Sequence, residues 1–260
     1  MTTTRDPALR RTVTWPRVTP DDIKAALERA WREAFKGAPP PGAIALLMAH
    51  QAHETGRWRS MPCYNLGGIR PSSPTHAWYA VSAFEDLPED EAQRWVGRST
   101  PAAPCRLGVQ LPGGRRRVHV GPDHPCSIFR AYDSLDDACR EYLAKLHGRF
   151  RAAWPAVLAG DPVAFVSALK AQRYFTASEE SYRAAIVPLF AEFNGRGTRW
   201  IQDRLRVAGF DPGPIDGVLG PRTRAALTAF QRTRGLVADG LPGARTLAAL
   251  EGVSGVARGT

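Results

Sequence analysis

The residue best placed to do chemistry is Glu54, near the end of the stretch "LLMAHQAHETGRW", Leu46 to Trp58. Steps of three and four residues from Ile44 pass through Leu47, Gln51, Glu54 and Trp58, so a helix here sets a carboxylate on its own apolar side. Taking that charge out of water is costly unless it is paired or used. Arg57 or Arg59 could neutralise it in a structural ion pair. Alternatively, shelter disfavours the ionised form and raises the pKa, so the group stays protonated near neutrality and can protonate a glycosidic oxygen. Zinc chemistry fits poorly. His53-Glu54 begins an HExxH pattern, but Arg57 stands where the second histidine belongs, and His50 and His53 lack a third ligand at a recognised spacing. No metal and no other cofactor is expected.

The elements that must position Glu54 are helical. "TPDDIKAALERAWREAF" has Thr19 as N-cap, Pro20 at the first position and acids in the first turn. "GAPPPG" breaks it, and the helix of Glu54 follows, ending near Gly56. From Cys63 to about Ile128 the helical period disappears: "WYAVSAF" suggests a short strand, and the proline- and glycine-rich run beyond it suggests loops with a hairpin. Helical pattern returns at "SLDDACREYLAKLHGRF", capped by Ser134, and at "DPVAFVSALKAQ" and "SEESYRAAIVPLFAEF". The expected organisation is an arm over 1–19, a helical domain with a small irregular β region over 20–193, a linker over 194–199 and a small domain over 200–252.

That last domain contains a repeat. "DGVLGPRTRAAL" from Asp216 and "DGLPGARTLAAL" from Asp239 place Asp, Gly, Gly, Arg, Thr and Leu at identical offsets. Each has an Asp-Gly turn and then a glycine able to cap a helix, with Pro221 at the first helical position of the first copy. Neither copy buries its Ala/Leu face alone, so the pair should pack together. With "WIQDRLRVAGFDPGPIDGVLGPRTRAALTAFQ" the region resembles the peptidoglycan-binding domain 1 family, which implies a three-helix wall-binding module. Asp216, Arg222 and Asp239 become candidate wall-binding residues.

Four further segments resemble another family. "AHETGRW", then "YNLGGIR", "IFRAYDSLDDACREYL" and "ALKAQRYFTASEESY" occur in the order found in the family 73 glycoside hydrolases, bacterial N-acetylglucosaminidases that cut peptidoglycan glycan strands. The resemblance implies a mainly α, lysozyme-like catalytic domain with Glu54 as general acid. It places Tyr64 and Asn65 beside the cleft, and Tyr174 and Tyr182 as aromatics near the substrate. These types suit a sugar, since Tyr faces stack on pyranose CH groups and hydroxyl and amide groups bond ring substituents. The family's second carboxylate falls in the β region, where "WYAVSAFED" offers Glu85, with Asp86 and Glu89 as rivals. Two departures stand out: Gly67 replaces a frequent aromatic, and about forty residues separate Glu85 from Phe129, more than the usual connection. The route stays open. Carboxylates about 5–5.5 Å apart make the second a nucleophile, about 6.5–9.5 Å lets it activate water, and the substrate's 2-acetamido group offers a third path.

Bulk properties narrow the partners. The formal charge of +10 favours anionic partners, and residues 196–260 hold ten Arg against five acids, which makes this short piece the most charge-dense. "GRRR" at Gly114–Arg117 lacks any accompanying nucleic-acid recognition motif, so peptidoglycan glycan strands are the expected partner and nucleic acid is not. Cys63, Cys105, Cys126 and Cys139 show no CxxC; disulfides and free thiols both remain open. No apolar run approaches the twenty or so residues of a membrane span. A monomer is expected. The first eighteen residues lack the apolar core of a secretory signal, so delivery by lysis, a pore or injection machinery is expected, as for a phage-type endolysin. A muramidase or lytic transglycosylase, and a non-catalytic wall-binding protein, are the alternatives.

Overall fold

Thr19 and Pro20 start the first helix as their chemistry requires. Asp22 N donates to Thr19 Oγ1 at 3.2 Å and Thr19 N donates to Asp22 Oδ2 at 2.8 Å, a capping box that opens α1 (Pro20–Phe35). The computed structural model describes residues 5–101, 103–122 and 124–253; residues 1–4 of the expected arm lie outside these. After α1 come α2 (Ala43–Glu54), β1 (Trp78–Ala80), β2 (Ala83–Pro88), α3 (Glu89–Gly97), β3 (Cys105–Leu111), β4 (Arg115–Val120) and β5 (Ile128–Arg130). They are followed by α4 (Leu135–Gly148), α5 (Trp154–Ala159), α6 (Pro162–Ala171), α7 (Glu179–Phe193), α8 (Thr198–Val207), α9 (Pro221–Thr233) and α10 (Ala244–Glu251). The chain is mainly α, as its sequence implies. No helix among the described residues is long and apolar enough to cross a membrane.

Contacts divide the chain into two units, Met1–Arg17 with Arg59–Ala138 and Val18–Trp58 with Cys139–Thr260. The stretch 20–193 is thus interrupted by residues of the other unit. Residues 5–17 of the arm belong with the β region, where Trp78 Nε1 donates to the Asp6 carbonyl at 3.1 Å.

In the first unit, "WYAVSAF" is not one strand. Its halves enter different sheets, β1 pairing antiparallel with β5 and β2 with β4 in a three-stranded sheet of order β2-β4-β3. The expected hairpin is β3–β4, turned by Gly113 and Gly114 at φ +74° and +69°, where a Cβ would be strained. Alternation along β4 sends Val118 and Val120 into a core with Ala92 and Cys105, while His119 faces out. Helix α3 was unexpected. It buries fully only Ala92 and relies on acids in its first turn and the i,i+4 pair Asp90–Arg94, so it has almost no apolar period to read.

In the second unit, α2 is the central helix: every residue from Ala43 to Ala52 is buried. It is apolar all round rather than on one stripe, and α7 packs along it. The helix ends at Glu54, Arg57 and Trp58 turn left-handed, and Trp58 reaches the core by leaving the helix, not by continuing it. Gly42, at φ +81°, starts α2 against Gly160; a Cβ on Gly160 would lie 2.9 Å from the Pro41 carbonyl oxygen. Trp31 on α1 stacks on Trp154 at 5.3 Å, joining α1 to α5.

The C-terminal helices α8, α9 and α10 carry the repeat into three dimensions. Gln202 Nε2 donates to Asp216 Oδ1, the Val218 carbonyl and Thr223 Oγ1 at 2.8, 3.1 and 3.2 Å, and its Oε1 accepts from Gly217 N. Gln231 does the same with Asp239 Oδ1, the Leu241 carbonyl, Thr246 Oγ1 and Gly240 N. Both glutamines are 1% exposed, so each amide is buried and satisfied by its own Asp-Gly turn. Gly220 and Gly243 are the N-caps and Pro221 opens α9, as the motif implies. Helix α8 begins at Thr198, so Thr198 and Arg199 of the expected linker are helical.

Candidate active site

Glu54 stands at the exposed C-terminal end of α2, yet its side chain is only 23% exposed. Burial raises its pKa above the ordinary carboxylate value, and the negative end of the helix dipole acts in the same direction. Two effects oppose the rise: a hydrogen bond from Tyr182 and the charge of Lys145. The Tyr182 hydroxyl, on α7, donates to Glu54 Oε1 in a short hydrogen bond. One carboxyl oxygen is therefore held, and the other accepts no hydrogen bond among the described residues.

Aromatic rings fix this pair. Tyr182 is 4% exposed and stacks face to face on Phe175 at 3.8 Å, with His53 against it edge-on at 4.5 Å. Burial pushes the Tyr182 phenol far above its ordinary pKa, so it is a permanent donor. Beneath lies His50, fully buried, its Nε2 3.7 Å from Glu54 Oε1 and its Nδ1 2.7 Å from the Tyr142 hydroxyl. Desolvation lowers the His50 pKa to about 3, which keeps the ring neutral. Tyr174 packs on His50 at 5.0 Å and on Phe150 at 4.8 Å. Thr55 closes the helix end, donating to the Gln51 carbonyl at 2.6 Å and accepting from Trp58 N at 2.9 Å.

Of the sequence-chosen residues, Glu54, Tyr174 and Tyr182 come together in the second unit. The ion-pair alternative through Arg57 does not hold, because Arg57 binds Glu192 bidentately at 2.8 and 2.6 Å. Tyr64, Asn65 and Glu85 lie in the first unit. Asn65 has its amide engaged within the protein. It is 2% exposed, its Nδ2 donates to the Ile69 and Arg130 carbonyls at 2.8 and 2.9 Å, and its Oδ1 accepts from Ile69 N at 2.8 Å. Its amide shapes the Asn65–Ile69 turn and has little left for a sugar. Tyr64 sits half-buried at φ +57° with no hydrogen bond from its hydroxyl among the described residues. Glu85 keeps only a loose partner, Arg70 Nη2 at 3.8 Å, and its side chain is 41% exposed. Its rivals are taken: Arg117 grips Asp86 at 2.8 and 3.0 Å, and Arg116 Nε lies 3.0 Å from Glu89, and both carboxyls are held below their ordinary values.

His50, Tyr142 and Phe175 were missed as site residues. His50 carried a signal, four residues before Glu54 on the same helix face; Tyr142 carried none, since nothing in "REYLAKL" marks its hydroxyl as inward. All four cysteines are free thiols. In the C-terminal module, Asp216 and Asp239 spend one carboxylate oxygen on their turns, and Arg222 pairs with Asp211 at 2.6 Å on the surface.

Comparison with known proteins gives the module its class. Residues 194–250 match the family described as "Putative peptidoglycan binding domain". Three helices, a duplicated turn and this match agree: the C-terminal module is a domain of this family. Over 81 residues, 30% of this chain, the sequence is 38% identical to N-acetylmuramoyl-L-alanine amidase CwlM of Mycobacterium tuberculosis; the aligned part spans 20% of that relative's length. The glycoside hydrolase domain of FlgJ from Salmonella typhimurium superposes with a TM-score of 0.36 and 17% identity, over 68% of this chain and 90% of that domain.

Proposed function

We propose that the chain is a peptidoglycan hydrolase that cleaves β-1,4 glycosidic bonds of the glycan as an endo-N-acetylglucosaminidase. Glu54 is its general acid and the C-terminal module its wall anchor. The supporting observation is the sheltered carboxyl of Glu54, raised in pKa by burial and held at one oxygen by Tyr182. In this scheme the free carboxyl oxygen protonates the bridging oxygen as the bond breaks, a step worth typically 10²–10⁴-fold. The Tyr182 hydrogen bond and the Lys145 charge then stabilise the carboxylate left behind. Among the acids of "AFEDLPE", Glu85 is the best second carboxylate because arginine does not grip it closely. Anchoring raises local substrate concentration without altering the chemistry. Action on the wall would follow release by lysis, a pore or injection machinery.

The test is digestion of purified peptidoglycan by wild type, Glu54→Gln and Glu85→Gln, followed by zymography and mass spectrometry. New N-acetylglucosamine reducing ends support the proposal. N-acetylmuramic acid reducing ends point to a muramidase, and an anhydro sugar to a lytic transglycosylase. Release of intact stem peptides would indicate the amidase activity named for the mycobacterial relative. Wall binding and biological effect that survive Glu54→Gln unchanged would leave a non-catalytic binder.

A further inference from the structure

The β2-β4-β3 sheet has a second face that its core does not use. Phe84 pairs with His119 and His119 with Arg106 in the strand register, which sets an aromatic ring, an imidazole and a guanidinium in one row across three strands. Alternation puts this row opposite buried Val118 and Val120. Phe84 is 54% exposed, and the Arg117 guanidinium covers part of its ring at 4.0 Å. Arg117 in turn neutralises Asp86, the one acid among the strand positions on this face. His119 and Arg106 are exposed and make no hydrogen bond or ion pair among the described residues. With Ser82, Pro104 and Gly121 the row lines a cavity of about 290 Å³. Gly108 leaves room for the imidazole itself, since a Cβ there would lie 2.7 Å from His119 Nε2.

An exposed phenyl face offers a sugar ring CH contacts, and an unpaired guanidinium beside an imidazole selects an anion. Two strand spacings of about 4.8 Å make the row about 10 Å long, the reach of one pyranose and an appended acid. The peptidoglycan-binding module names the polymer that brings both: peptidoglycan joins a sugar to a peptide rich in free carboxylates. We propose that Phe84, His119 and Arg106 form a second peptidoglycan site, taking a glycan ring on Phe84 and a stem-peptide carboxylate on Arg106 and His119. This binding does not depend on the Glu54 chemistry and needs only that the ligand be peptidoglycan. It gives the chain a second grip on the wall, one that reads peptide-bearing sugars.

The test is an NMR titration of the full chain carrying Glu54→Gln, so that no turnover confuses the result. One arm uses a disaccharide-tetrapeptide and the other the same disaccharide without peptide. The peptide-bearing ligand is expected to shift Phe84, Arg106 and His119 resonances, and the peptide-free sugar to do so several-fold more weakly. Phe84→Ala and Arg106→Gln, both at exposed positions, are each expected to weaken this binding roughly tenfold while shifts in residues 198–251 persist. Shifts confined to the C-terminal module would overturn the proposal. So would equal affinity for the two sugars, or tighter retention of a phosphate-rich wall polymer or duplex DNA. Failure of the glycosidase reading would leave these shifts in place, so the two outcomes are distinguishable.

Discussion

The Tyr182 hydroxyl on α7 donates a hydrogen bond to Glu54 at the end of α2, so two closely packed helices of the second unit meet at this sheltered carboxylate. The bond favours the ionised form and restrains a pKa that burial pushes up. Tyr182→Phe should therefore raise the Glu54 pKa further and move the alkaline limb of the pH–activity profile upward. Solubilisation of dye-labelled peptidoglycan across pH 5–9 measures this. An unmoved limb would mean that Glu54 is not the titrating acid.

Glu54→Gln should abolish cleavage, by about 10²–10⁴-fold, and stabilise the fold at neutral pH. A carboxyl with a raised folded pKa favours folding while protonated; that advantage is complete below the unfolded value and disappears as pH rises through the folded value. The amide ends this dependence and keeps an acceptor for Tyr182. Urea unfolding at pH 4 and pH 7 should show the variant gaining on wild type at the higher pH, by about 1 kcal/mol.

His50 acts on stability in the opposite sense. Its folded pKa of about 3 lies below the ordinary 6.5, so its contribution is complete above 6.5 and is lost as pH falls toward 3, when the unfolded chain takes the proton first. His50→Gln should flatten the loss of stability between those values, visible as a smaller fall in the urea midpoint from pH 7 to pH 4. The Tyr142 hydroxyl tests the same contact: Tyr142→Phe should cost about 1–3 kcal/mol by leaving His50 Nδ1 unpaired.

Gln231→Ala should unfold the second half of the wall module. It removes donors to Asp239, Leu241 and Thr246 and the acceptor for Gly240 N, all buried or half-buried, at a cost of about 2–4 kcal/mol. Co-sedimentation with insoluble wall should fall sharply while cleavage of short soluble glycans persists. Equal loss of both would show that the module also supports the helical unit.

Gly160→Ala probes how α2 is seated. The added methyl meets the Pro41 carbonyl oxygen at 2.9 Å and the position has φ +60°, so a loss of about 1–3 kcal/mol is expected in thermal unfolding. Activity should fall with it, because the helix that carries Glu54 starts at this contact.

What the sequence made legible follows from local chemistry. Thr19, Pro20, Ser134 and Pro221 act within a few residues, so their helix starts could be read directly. The Asp-Gly repeat disclosed a paired module, but not that Gln202 and Gln231 hold it, because 14 and 8 residues separate each from its aspartate and the two intervals differ. Glu54 was visible because a charge at the end of an apolar run is costly. Tyr182 was found only through a family likeness, and its bond to Glu54 was not, since the two lie 128 positions apart. The turn that Asn65 builds was not legible, because a side chain that shapes a turn and one that binds a sugar have the same letter. Helix α3 stayed hidden behind its polar composition, and the split of "WYAVSAF" behind a mostly apolar run whose one polar residue is Ser82.

The duplicated glutamine clasp has a thermodynamic corollary. Both Asp-Gly turns are tied internally by a glutamine amide, so a ligand that met them would have little of their backbone left to order. Calorimetry on the intact chain should therefore show capture with little entropic penalty from the module's turns. Variants that loosen either clasp should bind with a larger unfavourable entropy before they show any change in the set of sugars they accept.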